Sequence, residues 1–184
     1  MPNGLKHGRN SMKYASIREC DIANGEGVRV TLFVSGCTHG CKGCFNPEQW
    51  DFDYGEPFDA SVEERIFELL SPSYIAGLSI LGGEPMEPEN QRALVPFLRR
   101  MKERFGGSKT VWVYTGCVLE TELEAESHWR TELTDEFLSL VDVLVDGPFV
   151  EELKDISLRF RGSSNQRIIE LGKNRKAKEG GQVK

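Results

Sequence analysis

The chain has 184 residues, 39% of them hydrophobic and 28% charged, the size and balance of one globular domain with a sizeable core. No apolar run approaches the roughly 20 residues of a membrane span, and the polar, basic N-terminus has no apolar segment of a secretory signal behind it. The net charge of −6 is uneven: residues 1–13 hold Lys6, Arg9 and Lys13 and no acid, residues 173–184 hold five basic residues and Glu179, and the body between them carries −13. Such a body repels a phosphate backbone, which argues against nucleic-acid binding.

Of the five cysteines, three are clustered. That pattern argues against a disulfide framework and for a reducing, cytoplasmic setting. The expected organisation is a flexible N-terminal extension over 1–16, one domain over 17–172, and a basic disordered tail over 173–184 that could also serve as a docking arm.

Asn24-Gly25-Glu26-Gly27 is a turn signal leading into a strand, Val28–Ser35, with Arg29 at its start expected to face solvent. Cys37-Thr38-His39-Gly40-Cys41-Lys42-Gly43-Cys44 follows, with spacing C-x3-C-x2-C, on the loop leaving the carboxyl end of that strand. In α/β proteins this is the usual place for chemistry. Three soft thiolates suit an iron–sulfur cluster or a zinc ion. A cubane held by Cys37, Cys41 and Cys44 keeps one iron open for a small molecule. The zinc reading takes His39 as fourth ligand, an awkward closure for a residue lying between two of the cysteines. Cys20 and Cys117 are isolated and read as structural.

Ser61-Val-Glu-Glu64 is a capping-box pattern, and Val62, Ile66, Leu69 and Leu70 give the helix that follows an apolar face. Gly77–Leu81 is a short buried strand, so strand, helix and strand form a βαβ unit. Gly82-Gly83-Glu84-Pro85 leaves that strand. The two glycines mark either a plain tight turn or a place where a ligand lies against backbone, with Glu84 offering an acceptor for an ammonium group.

Glu89–Arg104 reads as a helix with Ala93, Leu94, Phe97, Leu98, Met101 and Phe105 inward, bent or broken at Pro96. Thr110–Tyr114 is a strand, 120–130 an irregular acidic stretch or surface helix, and Thr134–Leu140 a short helix capped by Thr134. Val141–Val145 is the next strand, Glu151–Asp155 a helical turn, and Gln166–Leu171 the last strand. Asp146, Ser163, Ser164 and Asn165 offer hydrogen-bonding groups to a ribose, a carboxylate or a protein partner.

The C-x3-C-x2-C motif resembles that of the radical S-adenosylmethionine (SAM) superfamily. Cys-Lys-Gly-Cys-Phe-Asn-Pro (41–47), Leu-Gly-Gly-Glu-Pro (81–85), Val-Asp-Gly-Pro-Phe (145–149) and Arg-Gly-Ser-Ser-Asn-Gln-Arg (161–167) narrow it. Together they resemble the activating proteins of anaerobic ribonucleoside-triphosphate reductases, from about Ile17 to Leu171. The superfamily commonly has an aromatic just before the third cysteine. Here Gly43 stands there and Phe45 follows, as in the narrower family.

The resemblance implies an α/β fold, an incomplete TIM-like (β/α) barrel of about five mostly parallel strands. A full barrel needs about 250 residues. It further implies a [4Fe-4S] cluster on Cys37, Cys41 and Cys44. SAM would be held by Gly43, Cys44, Phe45, Gly82, Gly83 and Glu84, its adenine end near Gly43, Cys44 and Phe45. An electron from flavodoxin or ferredoxin would cleave SAM, and the 5′-deoxyadenosyl radical would take hydrogen from a glycine of the reductase. The alternatives are an activase of another glycyl-radical enzyme, such as pyruvate formate-lyase, and a non-catalytic zinc-binding module.

Overall fold

The computed structural model describes residues 12–172. The expected tail over 173–184 and residues 1–11 of the expected extension lie outside the described residues. One sheet organises the rest: β1 (Lys13–Asp21), β2 (Val28–Val34), β3 (Glu56–Pro57), β4 (Ile75–Gly82), β5 (Thr110–Tyr114), β6 (Val143–Asp146) and β7 (Arg167–Glu170), in the order β3-β1-β2-β4-β5-β6-β7. β2, β4, β5 and β6 run parallel to one another, and the outer pairings of β1 with β2, β1 with β3 and β6 with β7 are antiparallel.

This differs from five mostly parallel strands. The last expected strand is antiparallel. Two strands at the other edge were not foreseen, because β1 is polar and half-exposed and β3 has only two residues. β1 also takes residues 13–16 out of the expected extension and into the sheet.

The parallel core exists because each crossover carries a helix with one apolar face. α1 (Ala60–Leu70) joins β2 to β4, α2 (Pro88–Phe105) joins β4 to β5, and α3 (Thr134–Leu140) joins β5 to β6. α1 is capped by Asp59, which accepts from Ser61 N at 2.9 Å and Val62 N at 3.1 Å, one residue pair earlier than the capping box suggested. α2 runs unbroken through Pro96. Thr134 does not cap α3; its Oγ1 accepts from Thr131 N at 2.8 Å and donates to Gln91 Oε1 at 2.9 Å. The 120–130 stretch opens with a π-helical turn, Leu119–Leu123.

Side chains alternate across each strand. Val30, Leu32 and Val34 of β2, Leu78 and Ile80 of β4, Val111 and Val113 of β5 and Leu144 of β6 pack against Ile66, Phe97, Leu98 and Phe137 of the helices. The opposite parity places Arg29, Ser79, Trp112 and Tyr114 on the other face.

Arg29, expected in solvent, is 1% exposed. It donates Nε to Ser79 Oγ at 2.7 Å, Nη1 to Thr110 Oγ1 at 3.0 Å and to Glu26 O at 3.2 Å, and Nη2 to Leu78 O at 2.8 Å and to Thr110 O at 2.9 Å. All five N–H donors are used, and the guanidinium lies 5.6 Å from the Trp112 ring. Burial pushes its pKa down to about 10, which still leaves it charged at neutral pH.

Arg29 therefore ties β2, β4 and β5 together beneath the site. Arg29→Met leaves five acceptors short of donors and is expected to lower the unfolding free energy by about 3 kcal/mol. A urea titration checks this, and an unchanged midpoint contradicts it.

Candidate metal centre

The carboxyl ends of β2, β4, β5 and β6 converge on one cavity of about 350 Å³. Cys37, Cys41 and Cys44 all line it. Cys20 is exposed on β1 and Cys117 is fully buried, so neither joins them. The loop is anchored at its start, where Gly36 N donates to Gln49 O at 2.9 Å and Cys37 N to Trp50 O at 3.2 Å. At its end, Cys44 N donates to Cys41 O at 3.2 Å and Asn46 N approaches Cys44 Sγ at 3.5 Å.

Burial, with Glu84 and Glu87 adding negative charge, pushes the Cys37 thiol up to about 12, and burial also raises Cys41. Both are protonated at neutral pH without a metal, so metal binding must release protons.

The exit loop of β4 supplies a buried carboxylate to the same place. Glu84 is 1% exposed. Its Oε1 accepts from Met86 N and Thr115 Oγ1 at 2.8 Å each, and its Oε2 from Gly116 N at 2.8 Å and faces His39 Nε2 at 2.8 Å. A carboxylate has about four such positions. Glu84 therefore stands on the cavity wall as expected but with its oxygens already taken by protein donors, which leaves no free position for a ligand ammonium.

His39 is stacked on Trp129, ring centroids 4.5 Å apart, and its Nε2 is 3.7 Å from Cys117 Sγ. Burial lowers its pKa, but the bond to Glu84 outweighs this and the net shift is upward. Its Nε2 is thus engaged with Glu84, which weighs against His39 as a zinc ligand beside the three cysteines. His39, Glu84 and Cys117 are close enough to suggest a metal cage of their own. The filled Glu84 oxygens and a Cys117 thiol held protonated by burial make them a hydrogen-bonded core instead.

Gly82, Gly83, Cys44 and Phe45 also line the cavity, while Gly43 does not. Gly43, at φ +70°, faces Glu151, 2.9 Å from where a Cβ would stand. Phe45 is 60% exposed, with Phe149 4.9 Å away and Lys154 Nζ 5.0 Å from its ring.

The polar motif of the last loop builds the wall more than it offers ligands. Asp146, 1% exposed, accepts from Leu119 N at 2.9 Å and Arg167 Nε at 2.9 Å. Ser163 Oγ accepts from Val150 N at 3.2 Å, and Asn165 Nδ2 donates to Pro148 O at 2.8 Å.

Two cavity residues were missed in the sequence. The Tyr114 hydroxyl and Arg161 Nε are buried and have no hydrogen-bond partner among the described residues. Strand parity could have pointed to Tyr114. Arg161 lay in a quoted motif without a role. Such orphaned groups are rare unless a ligand completes them. Three thiols lining one cavity and two unpartnered polar groups in its lining residues fit an iron–sulfur cluster with a small polar ligand beside it.

The close approach at Gly83 is to protein. A Cβ there would stand 2.6 Å from Gly36 O and 2.9 Å from Gln49 O, where the sequence suggested room for a ligand. Gly83→Ala must push on the start of the cysteine loop. It is expected to lower the thermal midpoint and the iron retained after reconstitution together; a full iron complement at an unchanged midpoint contradicts this packing.

A family model described as a 4Fe-4S single cluster domain matches residues 23–169. The anaerobic ribonucleoside-triphosphate reductase-activating protein of Pasteurella multocida is 44% identical over 159 residues, covering 85% of this chain and 96% of the relative. Its counterpart in Haemophilus influenzae is 43% identical over 85% of this chain and 97% of its own. That of Escherichia coli K12 is 41% identical over 162 residues, 87% and 99% of the two chains. With its three-thiol cavity and these relatives, the chain belongs to the family of anaerobic ribonucleoside-triphosphate reductase-activating proteins.

Proposed function

We infer that this chain activates an anaerobic ribonucleoside-triphosphate reductase by generating a glycyl radical on it, as a radical SAM enzyme. The observation that carries the reading is the cavity that gathers three thiols and two unpartnered polar groups in a member of this family. Cys37, Cys41 and Cys44 would hold the [4Fe-4S] cluster and leave one iron without a protein ligand. A cluster held there would supply the one-electron chemistry for cleaving SAM to methionine and a 5′-deoxyadenosyl radical, and that radical would take hydrogen from a glycine α-carbon of the reductase.

The chain's own residues bind and orient. Phe45 and Phe149 offer an apolar slab to the adenine. The backbone of Gly82 and Gly83 lies along the cavity wall; Gly83 N is taken by Val34 O at 2.7 Å, so carbonyl oxygens there would accept from the methionine ammonium in place of Glu84. Tyr114 and Arg161 provide donors to the remaining acceptors of SAM. Leu158 and Phe160, on the same wall, help to exclude water.

Half the strand pairings are parallel and the helices lie against one face, which supports the incomplete barrel of this enzyme class. The electron comes from a flavodoxin- or ferredoxin-type donor. No helix among the described residues is long and apolar enough to cross a membrane. We place the protein in the cytoplasm, where thiols stay reduced. The 4Fe-4S family match and the engaged Nε2 of His39 both favour the cluster over zinc.

Anaerobic reconstitution with iron and sulfide, followed by reduction with SAM, tests the reading. Wild type, Cys20→Ala and Cys117→Ala are expected to bind iron and release 5′-deoxyadenosine. Cys37→Ala, Cys41→Ala and Cys44→Ala are expected to lose both. A Cys41→Ala protein that still cleaves SAM contradicts the assignment.

A further inference from the structure

The segment between the first two cysteines has little structure of its own. Residues 35–41 form no helix or strand, and Gly40 sits at φ +62°. Gly36 and Cys37 are tied to Gln49 and Trp50, and Thr38 and His39 are held by the connection between β4 and α2.

Glu87, 1% exposed, accepts at Oε1 from Thr38 N at 2.8 Å and from Thr38 Oγ1 at 2.6 Å. Trp129 Nε1 approaches the same oxygen at 3.4 Å, and His128 Nε2 lies 3.3 Å from Oε2. Glu87 stands at the N-cap of α2, where a side chain ordinarily accepts from the first helical N–H groups. Its side chain makes no such bond and turns to the cysteine loop instead. The helix N-terminus beneath it favours the buried negative charge. An uncompensated buried carboxylate is costly, so its two bonds to a single residue of the neighbouring loop call for an explanation.

We propose that Glu87 is a positioning residue for the metal centre. Through Thr38 it fixes the path of the chain between Cys37 and Cys41, and hence the spacing of their thiols before any metal arrives. Glu84 grips the next residue, His39, so two buried carboxylates of one connection hold two consecutive residues of the loop. The inference rests on the reading that the three cysteines hold an iron–sulfur cluster. Its first test does not depend on that reading.

The chain carries its own controls: Cys20 is exposed and Cys117 is fully buried. The metal-free full-length protein is treated with iodoacetamide, and each cysteine's rate is followed by peptide mass mapping. In Glu87→Ala, Cys37 and Cys41 are expected to react about tenfold faster relative to Cys20, the effect of releasing one charge-assisted clamp. Cys117 stays protected. Cys44, tied separately to Cys41 O and Asn46, changes less. Glu87→Gln, whose amide oxygen can still accept from Thr38, restores most of the protection.

After reconstitution, Glu87→Ala is expected to lose iron to a chelator faster than wild type and Glu87→Gln. The reduced Glu87→Gln protein is expected to keep its iron but at a more positive reduction potential, because a buried negative charge is gone. Wild-type rates for Cys37 and Cys41 in Glu87→Ala overturn the proposal. If that variant also exposes Cys117, Thr38→Val decides, and unchanged Cys37 reactivity there overturns it. A wild-type chain that takes up no iron while the alkylation pattern holds contradicts the cluster reading alone.

Discussion

One buried carboxylate joins the three loops on which the site depends. Glu84 leaves β4 and receives bonds from its own loop at Met86, from the β5 exit at Thr115 and Gly116, and from the cysteine loop at His39. Each bond to a charged acceptor is worth about 1.5–3 kcal/mol when buried, and losing any one leaves a charge short of a partner. The loops at the carboxyl edge of the sheet are therefore a single coupled layer. The edge belongs to parallel strands, so successive loops leave on the same side and can share one acceptor.

Beneath this layer, Arg29 does the complementary work with the opposite charge. It spans β2, β4 and β5 on the face away from the helices, and its partners are neutral oxygens. The cavity lies under the Glu84 layer and is flanked by residues 158–162 of the segment leading to β7. Phe160, at φ +56°, packs edge-on against Trp112 at 5.4 Å there. It is the described non-glycine residue with positive φ, and strain of this kind gathers at functional sites. Arg161 follows it on the cavity wall, with its Nε buried and unpartnered among the described residues.

What could be read in the sequence was local. Cys37, Cys41 and Cys44 announced themselves by spacing, and helical periodicity placed α1, α2 and α3 within a residue or two of their observed ends. The strands β2, β4 and β5 were legible as apolar runs. β1 was not, because this polar, half-exposed strand beside the two-residue edge strand β3 lacks the alternation that marks a half-buried one. The long-range pairings were equally silent. Nothing near Arg29 says that it will be enclosed by residues about 50 and 81 positions away. Likewise Glu84 carried the right residue type for a ligand contact, and only the fold reveals that Thr115, Gly116 and His39 reach it first. Gly83 shows the same limit: a glycine marks a close approach, and the sequence does not tell whether ligand or backbone comes close.

Radical generation for a partner protein, the function proposed for this cavity, is read most directly by electron paramagnetic resonance of that partner. The reconstituted chain is mixed anaerobically with an anaerobic ribonucleoside-triphosphate reductase, SAM and a one-electron reductant. A glycyl radical doublet is expected on the reductase, dependent on SAM and lost with Cys41→Ala. A doublet that forms without SAM, or a reductase that stays radical-free while the chain cleaves SAM, contradicts the proposed function.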